Sequence, residues 1–224
     1  MLYQILTGQI SATELVALLI ALVFGISVHE FAHAAAATWL GDPLPERQGR
    51  LTLAPAAHLD VMGSLMFLVG GFGWGKPVQY NPYALRASPR VGPAIVAAAG
   101  PISNVILAVI VSIVVRLMPL AFGTNMRAFA LAPGIEGVLF NLLVGIVYYN
   151  LILSFFNLIP VFPLDGFTIL QGLLPPALAD AFEVTRQYGF FVLLLLLFAG
   201  SSVLGPVLYR PVETLLRLLV FAGA

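Results

Sequence analysis

His29-Glu30-Phe31-Ala32-His33 lies inside a long apolar segment, and this stretch determines how the rest of the chain is interpreted. On an α-helix, residues i and i+4 are about 40° apart around the axis, so the imidazoles of His29 and His33 can reach one metal ion. Glu30 lies on the same face, where it can act on a metal-bound water without being a ligand. The spacing therefore predicts two metal ligands and one general base on one helix.

The composition places this helix in a membrane. Hydrophobic residues make up 60% of the chain, charged residues 9%, and the mean hydropathy is +1.02, whereas about a quarter of the residues of soluble domains are charged. Ten basic and ten acidic residues give a net charge of zero, which argues against nucleic acid as a partner. Because the chain has no cysteine, any metal is held by nitrogen and oxygen.

Four apolar segments are long enough to cross a lipid bilayer, so we predict an all-α polytopic membrane protein with about four to six membrane helices. The first span begins at a capping box, Ser11-Ala12-Thr13-Glu14, and Gly41 ends it. Its start lacks the basic residues of a signal peptide, so we expect it to be retained. The predicted spans are residues 11–40, 91–118, 135–159 and 189–208, and the short apolar segments at 167–178 and 212–224 are either further membrane helices or surface helices.

The first loop contains an apolar, glycine-rich stretch at residues 61–78 that is too short to span the membrane. Irregular backbone at membrane depth is tolerated where protein buries it or where it lines a water-filled cavity. We therefore expect a re-entrant, β-hairpin-like element. The alternative is a loop on the membrane surface, anchored by Phe67, Phe72 and Trp74.

Basic residues are distributed unequally between the loops. Residues 41–90 contain five arginines and lysines, whereas residues 119–134 contain only Arg127. The positive-inside rule places the first loop in the cytoplasm. His33 is about 12 Å from the helix end at Gly41, so we expect a site nearer the cytoplasmic side of the cell membrane.

A second motif, Asn157-Leu-Ile-Pro160-Val-Phe-Pro163-Leu-Asp165-Gly166, follows the third span. Pro160 and Pro163 remove backbone donors and interrupt the helix. An acid such as Asp165 near a membrane span is by default a functional residue that needs a partner, and the histidine pair provides one. Two histidines and a carboxylate leave the fourth tetrahedral position of a catalytic zinc open. The alternative is a surface turn with a solvated aspartate.

The two motifs together resemble the site-2 proteases, a family of intramembrane zinc metalloproteases. Their H-E-x-x-H and N-x-x-P-x-x-x-x-D-G patterns occur here in the same order, and residues 100–104, Gly-Pro-Ile-Ser-Asn, resemble a small-residue motif between them. The resemblance covers about residues 15–170. It implies transmembrane protein substrates, a re-entrant β element and Zn²⁺. The implied site residues are His29, His33 and Asp165 as ligands, Glu30 as catalytic acid/base and Asn157 in substrate or transition-state binding.

We expect residues 1–224 to form a single protease domain without a PDZ or CBS domain, with a core at about 15–170 and C-terminal helices at about 171–224. A transporter or proton relay that uses the same His, Glu and Asp residues is the alternative function. A pair of neutral, hydrogen-bonded histidines is the structural alternative for the first motif. His58 is not assigned as a ligand, because loop histidines usually make local hydrogen bonds, and Asn104 is assigned to packing.

Overall fold

The computed structural model describes residues 12–70, 73–132, 134–199 and 201–222. Within these ranges all regular secondary structure is helical. Four helical segments are long and apolar enough to cross a membrane: Leu15–Trp39, Val91–Ala121, Ile135–Asn157 and Pro176–Phe198. The predicted all-α, multi-pass membrane architecture is therefore confirmed.

Helix α1, Ala12–Trp39, contains the H-E-x-x-H motif and matches the first predicted span, whose first residue, Ser11, lies outside the described residues. The helix ends where the backbone of Gly41 adopts a φ of 107°, in the left-handed region that favours glycine. The N–H of Asp42 then donates to the carbonyl of Ala37 at 3.1 Å. The predicted helix end is confirmed.

The first loop departs most from the sequence-based expectation. After a short helix, α2 (Leu44–Arg47), and a 3₁₀ turn (Pro55–Ala57), Val61–Gly70 forms a helix, α3. In the described part of the loop, β pairing is confined to one antiparallel bridge between Leu59 and Gly75. The predicted β-hairpin-like element is therefore wrong.

Helix capping and close packing explain this difference. Oδ1 of Asp60 accepts a hydrogen bond from the N–H of Gly63 at 2.7 Å, so Asp60 caps the N-terminus of α3. A Cβ added to Gly63 would lie 2.1 Å from the carbonyl oxygen of Trp74. Gly63, which belongs to the glycine-rich stretch that predicted a hairpin, instead lets the backbone at Trp74 lie directly on α3.

The bundle is built from α1, α4 (Val91–Ala121) and α6 (Ile135–Asn157), with the short helix α5 (Met126–Ala130) between the last two. The second and third predicted spans agree with α4 and α6 to within three residues at either end. Apolar side chains fill the space between these helices, and the most buried include Ala108, Val115, Phe140, Val147 and Leu151.

Two buried asparagines also join the three long helices. Nδ2 of Asn104 on α4 donates to the carbonyl of Gly25 on α1 at 3.0 Å and to Oδ1 of Asn150 on α6 at 2.8 Å. In a bilayer, helices associate through close packing and such hydrogen bonds, because lipid tails are as apolar as the helix surfaces. The asparagines therefore fix how α4 is rotated relative to α1 and α6.

The predicted break after α6 is also confirmed. The chain leaves the helix at Asn157, passes through Pro160 and Pro163, and begins helix α7 at Asp165 (Asp165–Leu173). This helix starts two residues before the predicted surface helix at 167–178 and ends five residues before its predicted end. Asp165 thus lies in the first turn of α7, where the helix dipole favours a negative charge.

The fourth span lies earlier in the chain than the predicted residues 189–208. It consists of α8 (Pro176–Glu183), a 3₁₀ segment (Val184–Tyr188) and most of α9 (Gly189–Ala199). The predicted start at residue 189 is wrong, because the charged residues near 183 lie within the span and do not limit it. Instead, Glu183 forms an ion pair with Arg186, and the Arg186 guanidinium lies 4.8 Å and 4.9 Å from the ring centres of Phe162 and Phe167.

The C-terminal residues pack into the bundle. They form α10 (Ser201–Leu204), a π-helical turn (Gly205–Tyr209), α11 (Arg210–Leu216) and a second π-helical turn (Arg217–Phe221). Val212 and Val220 are fully buried in the same core as Phe140. The surface-helix alternative for residues 212–224 does not agree with this buried face; residues 223 and 224 lie outside the described residues.

We predict that Asp60→Ala frays α3 and leaves the long helices intact. Loss of an N-cap costs about 1 kcal/mol, equivalent to about fivefold faster amide exchange. Hydrogen–deuterium exchange of residues 61–70 measures the effect. As a matched control, Asn125→Ala removes the cap that accepts from the N–H of Ala128, and it affects α5 instead. Equal exchange of residues 61–70 in Asp60→Ala and wild type would contradict the prediction.

Candidate metal centre

Three side chains from two helices converge in the bundle. Nε2 of His29 lies 3.0 Å from Oδ2 of Asp165, and Nε2 of His33 lies 3.4 Å from Oδ1 of the same carboxylate. The possible ligand atoms all lie within 4.8 Å of one another. The two histidines are 6% and 8% exposed, so the cluster is shielded by protein. A single ion can contact all three side chains.

The other nitrogen of each imidazole is held by α4. Nδ1 of His29 donates to Oδ1 of Asn104 at 2.6 Å, and Nδ1 of His33 donates to the carbonyl of Val96 at 2.8 Å. Both acceptors are carbonyl-type oxygens, so each Nδ1 carries the hydrogen, and in the neutral ring Nε2 carries a lone pair. Such bonds fix the tautomer and the ring orientation of metal-binding histidines. Each Nε2 therefore faces Asp165 as an acceptor.

The three side chains suit a divalent metal ion. A neutral imidazole nitrogen and a carboxylate oxygen are both acceptors, so their approach to 3.0 Å needs a positive charge between them. Oδ2 of Asp165 is buried and has no hydrogen-bond partner among the residues that the structure describes. Two imidazole nitrogens and one carboxylate oxygen form the ligand set of catalytic zinc sites that keep one open position. Among the described residues, His29, His33 and Asp165 form the group that meets these requirements.

The approach of α4 to the histidines depends on a glycine. A Cβ added to Gly100 would lie 2.5 Å from Nε2 of His33 and 2.6 Å from Cε1 of His29. Both distances are shorter than any normal contact, so a larger residue would push the imidazoles out of place. The helix that orients the histidines must therefore be free of side-chain atoms at this position.

Glu30 lies next to this cluster on α1. Its Oε2 is buried and has no hydrogen-bond partner among the described residues. The backbone of Gly75 in the first loop approaches its other oxygen, because a Cβ on that glycine would lie 3.3 Å from Oε1. The carboxylate is thus partly enclosed, and one of its oxygens has no hydrogen-bond partner among the described residues. A group that exchanges protons with a bound reactant needs such a free oxygen.

Tyr80 is a further polar group in this neighbourhood. Burial raises the pKa of its hydroxyl, and the negative charge of Asp165 raises it further, against the opposing effect of Arg186. An ordinary tyrosine already has a pKa of about 10. The phenol therefore stays protonated at neutral pH and is available as a hydrogen-bond donor.

The structure brings His29, His33 and Asp165 together and places Glu30 beside them, as the two sequence motifs require. The hydrogen bond that the structure shows for Asn157 is local: its Nδ2 donates to the carbonyl of Leu153 within α6 at 2.9 Å.

His58 also lies apart from the cluster. Its Nε2 is 2.6 Å from the carbonyl oxygen of Thr52, as expected for a loop histidine with a local partner.

Sequence reasoning missed the role of Asn104, which was assigned to packing. Its amide nitrogen does pack the bundle, but its oxygen orients His29. The available signal was a fully buried amide in an apolar helix, where polar residues usually bond across helices. The carbonyl of Val96 carries no side-chain signal and could not have been identified from the sequence.

The fold and the cluster define a class of protein: a multi-pass membrane protein with an H-E-x-x-H helix and a converging carboxylate, the arrangement of metal-dependent peptidases. Sequence comparison agrees, because the family model described as "Peptidase family M50" matches residues 17–197. The chain therefore belongs to peptidase family M50, and the predicted relationship to the site-2 proteases is confirmed.

Individual relatives carry matching names. "Putative zinc metalloprotease YwhC" of Bacillus subtilis (strain 168) is 39% identical over 203 residues, which are 90% of this chain and 90% of the relative. "Putative zinc metalloprotease Rip2" is 30% identical over 181 residues in Mycolicibacterium smegmatis and 29% over 182 in Mycobacterium tuberculosis (strain H37Rv). Those matches cover 78% and 79% of this chain and 64% of each relative. No solved structure matches the chain significantly.

We predict that Gly100→Ala lowers the zinc affinity of the folded protein by about 10–100-fold, the range found when the groups that orient metal ligands are disturbed. The added methyl group would displace both imidazoles. Zinc titration of detergent-purified protein measures the effect. Gly145→Ala is the control, since a Cβ there meets nothing within 4 Å. Unchanged affinity in a folded Gly100→Ala variant would show that the imidazoles do not hold the metal.

Proposed function

We propose that this chain is an intramembrane zinc endopeptidase that hydrolyses peptide bonds within or near the transmembrane segments of other membrane proteins. The observation that carries the proposal is the convergence of His29, His33 and Asp165 within 4.8 Å, beside an uncommitted carboxylate on the same helix as the histidines. Zinc is also the metal in the names of the relatives.

We assign His29, His33 and Asp165 as the zinc ligands. Zinc held by these three residues would supply Lewis acidity for peptide hydrolysis. Glu30 accepts the proton of the attacking water through Oε2, which has no competing hydrogen-bond partner in the described part of the chain. The same carboxylate then delivers that proton to the leaving amine, so Glu30 returns to its starting state after each turnover.

The substrate must present an unwound peptide bond. The carbonyls of an intact transmembrane helix are engaged in backbone hydrogen bonds and are closed to attack. We propose that Asn157, at the end of α6 and before the turn to Asp165, bonds the substrate or the transition state through its side-chain oxygen, because its nitrogen is engaged by Leu153.

The basic first loop supports a cytoplasmic position for the nearer end of α1. His33 is about 12 Å from that end, so water reaches the site from the cytoplasmic side of the cell membrane. We further propose that the core and the C-terminal helices act as one protease unit, since Val212 and Val220 are part of the main core.

We predict that Glu30→Gln binds zinc like the wild type and lowers cleavage by about 10³-fold, because the general base is lost while the ligands remain. In the same experiment, Asp165→Ala should lose both zinc and cleavage. Zinc per chain is measured by elemental analysis. Cleavage is measured in detergent with a Leu/Ala-rich 25-residue peptide that contains a central Gly-Pro break and a fluorophore–quencher pair.

Glu46→Gln makes the same chemical change at an exposed position and is the matched control. Normal turnover by Glu30→Gln would remove Glu30 from its assigned role. A folded wild type that takes up no zinc when zinc is supplied would overturn the proposed function and favour the proton relay.

A further inference from the structure

Asp165 is the first residue of α7, so its position depends on how this helix is held in the bundle. Arg90 contacts the opposite, C-terminal end of the helix. Nη2 of Arg90 donates to the carbonyl of Leu174 and lies 3.5 Å from the carbonyl oxygen of Gln171. Both carbonyls belong to the C-terminal end of α7. Arg90 itself is the residue immediately before α4. One arginine thus ties the end of α7 to the start of α4.

This contact is physically favourable. The last carbonyls of a helix have no partner within the helix, and the helix dipole makes that end partly negative. The Arg90 guanidinium supplies both hydrogen bonds and positive charge there. At the other end of α7, Asp165 places a negative charge where the dipole is positive. The helix is therefore stabilised by opposite charges at its two ends.

A close backbone contact fixes the same end of α7. A Cβ added to Gly172 would lie 2.4 Å from Cβ of Ala94 and 2.9 Å from the carbonyl oxygen of Arg90. The last turn of α7 therefore lies directly on the first turn of α4, with no room for a side chain between them. Displacing α7 from α4 breaks this contact and the Arg90 hydrogen bonds together.

The same helix, α4, also holds both histidines. Val96 accepts the hydrogen bond of His33, and Asn104 accepts that of His29. Although α4 contributes no ligand atom, it bonds both histidines directly and carries the last turn of α7, the helix of Asp165. The distance between Asp165 and the imidazoles therefore depends on how α7 is seated on α4.

From these contacts we infer that Arg90 is a positioning residue of the metal centre, which sets the Asp165 carboxylate against His29 and His33 by seating α7 on α4. The inference rests on the proposed zinc ligands. Arg90 acts at a distance, because the contacts at Leu174 are about 13 Å along the helix axis from Asp165. Its effect is on the stability of the bound metal rather than on the chemical step.

The test is the rate at which zinc leaves the full-length, detergent-purified protein after an excess of a coloured chelator is added. Zinc chloride alone is used for loading. Arg90→Gln should release zinc about tenfold faster than wild type, at the lower end of the range for groups that support metal ligands. Arg90→Lys should recover part of the difference, because an ammonium keeps the charge and one carbonyl contact.

The chain offers a closely matched control. Arg116 makes the same kind of contact, with the carbonyls of Leu218, Val220 and Ala222, but at the end of a helix that carries no ligand. Arg116→Gln removes an equal charge and the same type of contact, and it should release zinc at the wild-type rate. Equal acceleration in Arg116→Gln and Arg90→Gln would overturn the inference, because it would reflect general loosening of the fold.

Gly172→Ala tests the same contact with the guanidinium intact, and it decides the question if Arg90→Gln does not fold. It should also release zinc about tenfold faster. Release within twofold of wild type in the folded variants would overturn the inference.

Asp165→Ala, measured alongside, separates the hypothesis on the zinc ligands from the hypothesis on Arg90. Zinc retention by Asp165→Ala contradicts the proposed ligands, whereas zinc loss from Asp165→Ala alone leaves them standing and removes only the role of Arg90.

Discussion

The hydrogen bond between His29 and Asn104 is the interaction on which the metal centre depends. The amide of Asn104 is fully buried, and both of its ends are used: the oxygen accepts from the imidazole, and the nitrogen donates to α1 and α6. Leaving any of these groups unpaired in an apolar interior costs about 1–3 kcal/mol. The bonds that hold three helices together therefore also orient a ligand, and α4 cannot rotate without disturbing both.

In the part of the chain that the structure describes, five buried side-chain atoms have no hydrogen-bond partner, and two of them are carboxylate oxygens at the metal centre, Oε2 of Glu30 and Oδ2 of Asp165. Buried polar groups are paired in the great majority of cases, so two exceptions in one place need an explanation. A site that binds a cation and moves a proton provides one, because both oxygens then have partners during function.

The sequence predicted the parts of the site that depend on local geometry. The spacing of His29 and His33 follows from the helical repeat, and the prolines before Asp165 remove backbone donors whatever the tertiary structure. The roles of Asn104 and of the helix at residues 61–70 depend on contacts with distant segments. The sequence shows an amide in an apolar helix and a run of glycines, but not which backbone each one meets. The start of the fourth span was misplaced because Arg186, besides its local ion pair with Glu183, is covered by the rings of Phe162 and Phe167 from a preceding segment, which its own sequence does not show.

Arg186 has a consequence for how the fourth span can move. Its guanidinium is paired with Glu183 and covers the rings of Phe162 and Phe167, and Glu183 also accepts from the side chain of Gln171 on α7. Pulling the base of the span away from the bundle would uncover a charged pair and two aromatic faces together. Beyond Gly189, which lies against Phe162, the C-terminal part of the span is largely exposed: Phe190, Phe191, Leu195 and Phe198 are each more than half exposed. Bending of the fourth span is therefore easiest above its polar base, which stays attached to the helix that carries Asp165.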